Sequence, residues 1–254
     1  MEYGICNLAV IPLRAEPSER SEQVSQLLFG EVFEITEWQN NWVKIIAEAD
    51  GYIGWIGRLQ FAMLGHIAYK NIRNHPSKLT YQPVTQAWKM SDNSVVYLPA
   101  GSSLAFLEGT SCRIGHERFE IIGKIGEPED IAATAKAFLN SPYLWGGRTH
   151  FGIDCSGFTQ MVYKLKGLRI KRDASMQVKE GIKVDSIKEA RLGDLAFFDN
   201  SEGRVTHVGI ILNNEHIIHA SGKVKIDIIN EDGIYSREQK KYTHNLCGIR
   251  RFFN

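Results

Sequence analysis

Three side chains in this 254-residue chain have the types that nucleophilic acyl transfer needs: Cys155, His207 and His219. A thiolate attacks, an imidazole takes the thiol proton, and a third polar group holds that imidazole in the right tautomer. Cys155 follows Asp154, a residue suited to cap a helix, so the cysteine falls in a first helical turn. There the unpaired N–H groups and the positive end of the dipole favour a thiolate and can hold an oxyanion. Downstream, Asn213-Asn214 turns midway between His207 and His219, which places the two histidines side by side on opposite arms of a hairpin. Taken singly, the cysteine reads as a small buried hydrophobe and each histidine as a structural or solvated strand residue. The joint placement is what points to chemistry.

These residues need elements to hold them. Cys155, Phe158, Met161, Val162, Leu165 and Leu168 recur at spacings of three to four, the stripe of an amphipathic helix. Turn formers and aromatics precede it: Pro142, Tyr143, Trp145, Gly146, Gly147 and Gly152. Strands are predicted over 193–198, 206–212, 216–220 and 246–251, and a helix runs from Ile131 to Leu139 before Asn140-Ser141-Pro142. A helix ahead of an antiparallel sheet makes residues 126–254 an α+β domain. Residues 1–61 carry five or six short strands separated by turns, the pattern of a small barrel. Residues 62–125 repeat that theme with Pro83–Lys89, Ser94–Leu98, Ser103–Leu107 and Phe119–Ile122, so a second barrel is expected.

Composition excludes several classes. Hydrophobic content of 43% and charged content of 23% are globular, and a net charge of +1 gives no broad footprint for nucleic acid or anionic membrane. The Lys/Arg cluster from Arg169 to Arg172 reads as a solvated loop. Cys6, Cys112, Cys155 and Cys247 have no zinc-site spacing and no disulfide framework, so free thiols in a reducing compartment are expected. The N-terminal stretch MEYGICNLAVIPLRAEP lacks a basic n-region and is interrupted by Asn7 and Pro12, so it reads as neither signal peptide nor membrane span. A cytoplasmic location is the expectation, with a trimmed leader as its alternative.

Two resemblances follow from particular residues. The run LRAEPSERSEQVSQLLFGEVFEI, with WVKI and DGYIGWI after it, resembles a bacterial SH3-like module. YLWGGRTHFGIDCSGF, RDASMQ, ARLGDLAFF, THVGII and HIIHA, in this order, resemble the NlpC/P60 cell-wall peptidase family with its papain-like core. The fold class implied is a papain-like α+β domain at 126–254 behind two small SH3-like barrels at 1–61 and 62–125. The resemblance implies Cys155 as nucleophile, His207 as general base and acid, His219 as the residue orienting His207, and the Cys155 N–H with Tyr143 at the oxyanion. No metal or cofactor is called for.

The module order is similar to that of the γ-D-glutamyl-L-diamino acid endopeptidases, which cleave peptidoglycan stem peptides carrying a free N-terminal L-Ala. That likeness implies Asp173 as the carboxylate for the ammonium group, because a desolvated ammonium needs one. It implies Trp145, Ser156 and Ser175 near the γ-D-Glu residue, and Glu16 and Tyr52 from the first module. Ala174 stands where relatives carry a serine. As ordinary alternatives, Asp173 pairs with Arg172 or Arg169, Tyr52 and Trp55 pack in the barrel, Trp145 caps the core, and Arg148 is an exposed loop residue that otherwise holds a substrate carboxylate. His66, His75, His116, His150 and His244 read as surface or loop residues. The implied partners are peptidoglycan-derived peptides acted on by a monomer. The rivals are another NlpC/P60 amidase, D,L-endopeptidase or wall-remodelling hydrolase, and a non-catalytic wall-binding protein.

Overall fold

The computed structural model describes residues 1–75 and 77–253. The chain folds as two compact units, Met1–Glu127 and Pro128–Asn254.

In the first unit, β1 (Glu2–Ile5), β2 (Val10–Arg14), β3 (Gln23–Leu28), β4 (Val32–Gln39), β5 (Trp42–Ala47), β6 (Ile53–Gly57) and β7 (Ala62–Leu64) form one antiparallel sheet in the order β3-β2-β6-β5-β4-β1-β7. Strand alternation in Trp42–Ala47 sends Val43, Ile45 and Ala47 inward, where they meet Ile11, Leu13, Phe33 and Ile56. Trp55 is buried, as barrel packing requires, with Lys44 Nζ 5.6 Å above its ring. Helix α1 (His66–Asn74) follows, a helix that strand patterning did not predict. Then come β8 (Lys78–Leu79), β9 (Val84–Lys89), β10 (Ser94–Pro99), β11 (Ser103–Leu104), β12 (Ser111–Ile114) and β13 (Glu117–Ile122). Four of them form a sheet ordered β10-β9-β13-β12, and β11 pairs with β8.

The expected cut at 61/62 runs through shared structure. Residues 62–64 pair with β1, Tyr3 facing Leu64 and Ile5 facing Ala62. A single apolar cluster joins Tyr3, Ile5, Phe29 and Val32 to Leu98, Ile114, Phe119 and Ile121. Phe29 packs edge-on against Phe119 at 5.0 Å.

The second unit opens with α2 (Ile131–Lys136), capped by Asp130, whose carboxylate accepts from the Ala133 N–H. The short pair β14 (Arg148–Thr149) and β15 (Gly152–Ile153) leads into α3 (Cys155–Leu165) and the one-turn α4 (Ala174–Gln177). The remaining strands are β16 (Ile182–Val184), β17 (Leu195–Asp199), β18 (Val205–Asn213), β19 (His216–Ser221), β20 (Lys223–Asn230), β21 (Gly233–Ser236) and β22 (Lys241–Arg251). Their order is β16-β22-β17-β18-β19-β20-β21, and β21 also pairs with β22, so six strands close on themselves.

Helix α3 packs on β18 and β19. Cys155, Phe158, Met161, Val162 and Leu165 of the predicted stripe are buried, whereas Leu168 lies past the end of the helix and is half-buried. Thr159, Gln160 and Tyr163 are inside as well, and within the helix Lys164 alone is half-buried. The polar residues on that second face find partners indoors. Thr159 Oγ1 donates to Gln177 Oε1 at 2.9 Å, and Gln177 Nε2 donates to the Ser156 carbonyl at 3.1 Å.

Candidate active site

Asp154 does cap α3, and it does more. Its Oδ1 accepts from the Gly157 N–H at 2.6 Å and its Oδ2 from the Gly146 N–H at 2.8 Å. The guanidinium of Arg172 grips the same carboxylate with both ends, Nη1 to Oδ1 at 2.9 Å and Nη2 to Oδ2 at 2.5 Å. Arg172 is 1% exposed, which corrects its reading as part of a solvated basic loop. Its partner lies eighteen residues earlier at the helix start, so a local charge count does not reveal the burial. The Ser156 hydroxyl accepts from Arg172 Nη1 at 3.0 Å, so it faces the ion pair that anchors the helix.

Glycines let the loop close on this helix end. Gly146 has φ +73°, in the left-handed region. A Cβ on Gly157 would sit 2.3 Å from the Gly147 carbonyl oxygen, so the 146–147 loop lies directly against the first turn.

Cys155 is buried with its sulfur against β18 on both sides of His207. Its Sγ is 3.9 Å from the Thr206 carbonyl, and the Val208 and Ser156 N–H groups point at it. Burial pushes the thiol up to about 12, the Asp154 charge adds to this, and the Val208 N–H, Arg172 and the Ser156 N–H oppose it. Burial thus works against the thiolate expected at the helix start and favours the thiol at rest.

His207 and His219 meet, with Nε2 of His207 2.8 Å from Nδ1 of His219. They meet by a different register than the turn predicts. Ile210 faces Ile218, Ile211 faces Ile217, and Asn213 faces His216, with an irregularity between Ile211 and Asn213. In that register Gly209, not His207, is opposite His219; a Cβ on Gly209 would lie 2.9 Å from that of His219. The two rings touch along a diagonal, and the shared face is kept because the slip is an even number of residues. Both histidines are held neutral: burial lowers each, His219 and His244 lower His207 further, and Asp227 only partly restores His219.

Two further residues of this cluster escaped sequence reading. Asp227 Oδ2 lies 3.2 Å from His219 Nε2. His244, expected at the surface, stacks on His207 at 4.1 Å and 25°. His150 is likewise not a surface residue: it stacks on Phe138 at 3.8 Å, and burial pushes it down to about 4. Arg148, an expected loop residue, is buried in β14.

Tyr143 bridges to Ile153, two residues before the cysteine, which sets it beside Cys155. Burial, then the charge Cys155 carries when ionised and that of Asp154, push its hydroxyl up to about 12, so it stays protonated and able to donate. Trp145 is exposed, Asp173 stands half-buried at the N-cap position of α4, where its side chain makes no capping hydrogen bond, and Ser175 is exposed on α4. Glu16 is exposed and Tyr52 half-buried against the barrel core, both in the first unit. A thiol, an imidazole tethered at its far nitrogen and a helix N-terminus together suit acyl transfer.

The NlpC/P60 family profile matches residues 140–245, and the profile described as the bacterial dipeptidyl-peptidase Sh3 domain matches residues 13–58. The gamma-D-glutamyl-L-lysine dipeptidyl-peptidase of Bacillus subtilis (strain 168) is 32% identical over 254 aligned residues, spanning 91% of this chain and 81% of its own. The chain belongs to the NlpC/P60 family. Dipeptidyl-peptidase 6 of Lysinibacillus sphaericus is 28% identical over 93% of this chain and 95% of its own. The crystal structure of an NlpC/P60 family protein from Bacillus cereus ATCC 10987 superposes with a TM-score of 0.80 at 22% identity, covering 98% of this chain and 99% of that one. The fold is therefore that of NlpC/P60 proteins with an N-terminal SH3 domain.

Proposed function

We propose that this chain is a cysteine peptidase that hydrolyses the bond between γ-D-Glu and the L-diamino acid of peptidoglycan stem peptides with a free N-terminal L-Ala. The observation that carries the chemistry is the Cys155 sulfur lying against the backbone on both sides of His207, whose far nitrogen is tied to His219. The name of the relative from Bacillus subtilis, a gamma-D-glutamyl-L-lysine dipeptidyl-peptidase, supports the substrate class. In this reading residues 126–254 are the papain-like α+β core, and β8–β13 are a diverged second SH3-like module that shares its core with the first.

The resting pair is a neutral thiol and a neutral imidazole, so proton transfer to His207 accompanies attack of sulfur on the carbonyl carbon. The tetrahedral oxyanion is held by N–H groups of the first turn of α3 and by the Tyr143 hydroxyl. His207 then gives the proton to the leaving amine, and an acyl-enzyme remains on Cys155. A water deprotonated by His207 releases L-Ala-γ-D-Glu and restores the thiol. Asp173 takes the substrate ammonium, and Trp145, Ser156 and Ser175 border the γ-D-Glu residue. A requirement for a free amine suits recycling of small wall fragments in the cytoplasm.

The test is mass spectrometry of L-Ala-γ-D-Glu-L-Lys and its diaminopimelate counterpart, free and N-acetylated, incubated with wild type and Cys155→Ala. Release of L-Ala-γ-D-Glu from the free peptides by wild type alone is expected. Equal cleavage of the acetylated peptides refutes the amino-end requirement, and cleavage of none refutes the substrate.

A further inference from the structure

The chain of contacts behind His207 continues past His219. Asp227 on β20 brings Oδ2 to 3.2 Å from His219 Nε2, and Lys225 Nζ is 3.3 Å from the same oxygen. The Arg237 N–H donates to Oδ1 at 3.4 Å. Lys225 and the Arg237 N–H can only donate, so they fix this group as an ionised, accepting carboxylate. The side chains of His219 and Asp227 are 1% and 4% exposed, so water does not compete for these contacts.

A neutral imidazole carries one N–H and one lone pair, and hydrogen bonds decide which nitrogen has which. An accepting carboxylate at His219 Nε2 requires the proton there, which leaves the lone pair on Nδ1. That lone pair, 2.8 Å from His207 Nε2, requires the His207 proton on Nε2. The lone pair of His207 is then on Nδ1, the nitrogen left for the thiol proton. We propose that Asp227 is a positioning residue of the active site, fixing through His219 the tautomer in which His207 can act as a base.

The register makes this a built feature. His219 faces Lys225 and Ile217 faces Asp227, so the His219–Asp227 contact is again a diagonal, like the His207–His219 contact one strand earlier. Burial keeps both rings neutral, the state in which a tautomer matters. The charged and titratable groups around His219 are His207 on β18, Asp227 and Lys225 on β20, and His244 on β22, whose ring lies 5.7 Å away. Lys225 also reaches Glu238 at 3.5 Å, so Asp227 is not its sole counter-charge.

The inference rests on Cys155 and His207 being the reacting pair, and its first readout does not need a substrate. Nitrogen-15 NMR of histidine-labelled full chain at pH 7.5 should show both His207 and His219 protonated on Nε2. Protonation of His219 on Nδ1 in the wild type overturns the proposal whatever any variant does. In Asp227→Asn, His219 should shift toward the Nδ1–H form. Its kcat should fall about ten- to a hundredfold with KM unchanged, the size of loss known for removing the group that orients a metal-bound histidine. Asp227→Glu should retain the wild-type tautomers and recover most of the rate. An Asp227→Asn protein with wild-type tautomers and kcat within twofold also overturns it. If the γ-D-Glu peptides prove not to be substrates, the tautomers and the rate of Cys155 alkylation by iodoacetamide still decide this inference, separately from the proposed substrate.

Discussion

Replacing Arg172 by Met tests whether the buried ion pair sets the position of the nucleophile's helix. The side chains of Arg172 and Asp154 are 1% and 6% exposed, so losing the guanidinium leaves a carboxylate stranded in a dry site. Breaking such a pair on one side costs about 3–5 kcal/mol. Spread over the entropy of unfolding a unit of about 127 residues, that cost lowers its Tm by roughly 10–20 °C. Differential scanning calorimetry of the full chain should show the transition of Pro128–Asn254 displaced by that amount and the transition of Met1–Glu127 unchanged. Adding Asp154→Asn to Arg172→Met removes the stranded charge while an amide oxygen still caps α3. The double variant should therefore be more stable than the sum of the single losses by about 1–3 kcal/mol. A shift under about 3 °C in Arg172→Met, or strictly additive losses in the cycle, would refute the idea that this pair anchors the helix.

Three other outcomes are expected. With the Cys155 thiol pushed up to about 12, its alkylation by iodoacetamide should accelerate about tenfold per pH unit between pH 7 and 10; a rate that is already flat at pH 5 would mean a preformed thiolate. His150 and His244, both pushed down to about 4 by burial, carry fewer protons folded than unfolded below the ordinary histidine pKa near 6.5. Their stabilisation is complete above that pH and is lost as pH falls toward 4, each contributing up to about 1.4 kcal/mol per unit. Urea midpoints at pH 7.5, 6 and 5 should decline accordingly, less steeply in His150→Phe, and a constant midpoint would contradict it. Gly157→Ala drives a methyl group toward the Gly147 carbonyl oxygen and should destabilise the second unit by about 1–3 kcal/mol, read as a lowered urea midpoint; an unchanged midpoint would mean the loop yields freely.

The parts of the site that could be read in the sequence are those with local signals. Asp154 before an apolar periodic run places Cys155 at a helix start, and an Asn-Asn turn between two apolar stretches gives the hairpin bearing both histidines. What escaped depends on partners distant in sequence. Arg172 looks like a loop cation until Asp154 is brought to it, and His244 looks exposed until β22 carries it onto His207. Asp227 sits on β20, where Val224, Ile226 and Ile228 alternate as a strand should, but nothing local in the sequence pairs it with His219. The register slip at Leu212 had no signal at all, since a bulge is set by the ladder around it. Helix α1 starts at Gly65 without a side-chain cap, so it lacked the start signal that marked α2 and α3.

The strand at 62–64 and the core that joins Phe29 to Phe119 bear on how such proteins are recombined. A sequence repeat suggests a natural splice point between the halves of the first unit. Cutting there would strip an edge strand from one half and open an apolar face on each, leaving two fragments prone to aggregate. A junction at Glu127-Pro128 instead leaves the cluster that joins Phe29 to Phe119 whole. The heritable cassette is then the pair of segments, and chimaeras exchanging residues 1–127 as a block should fold where exchanges at residue 61 do not.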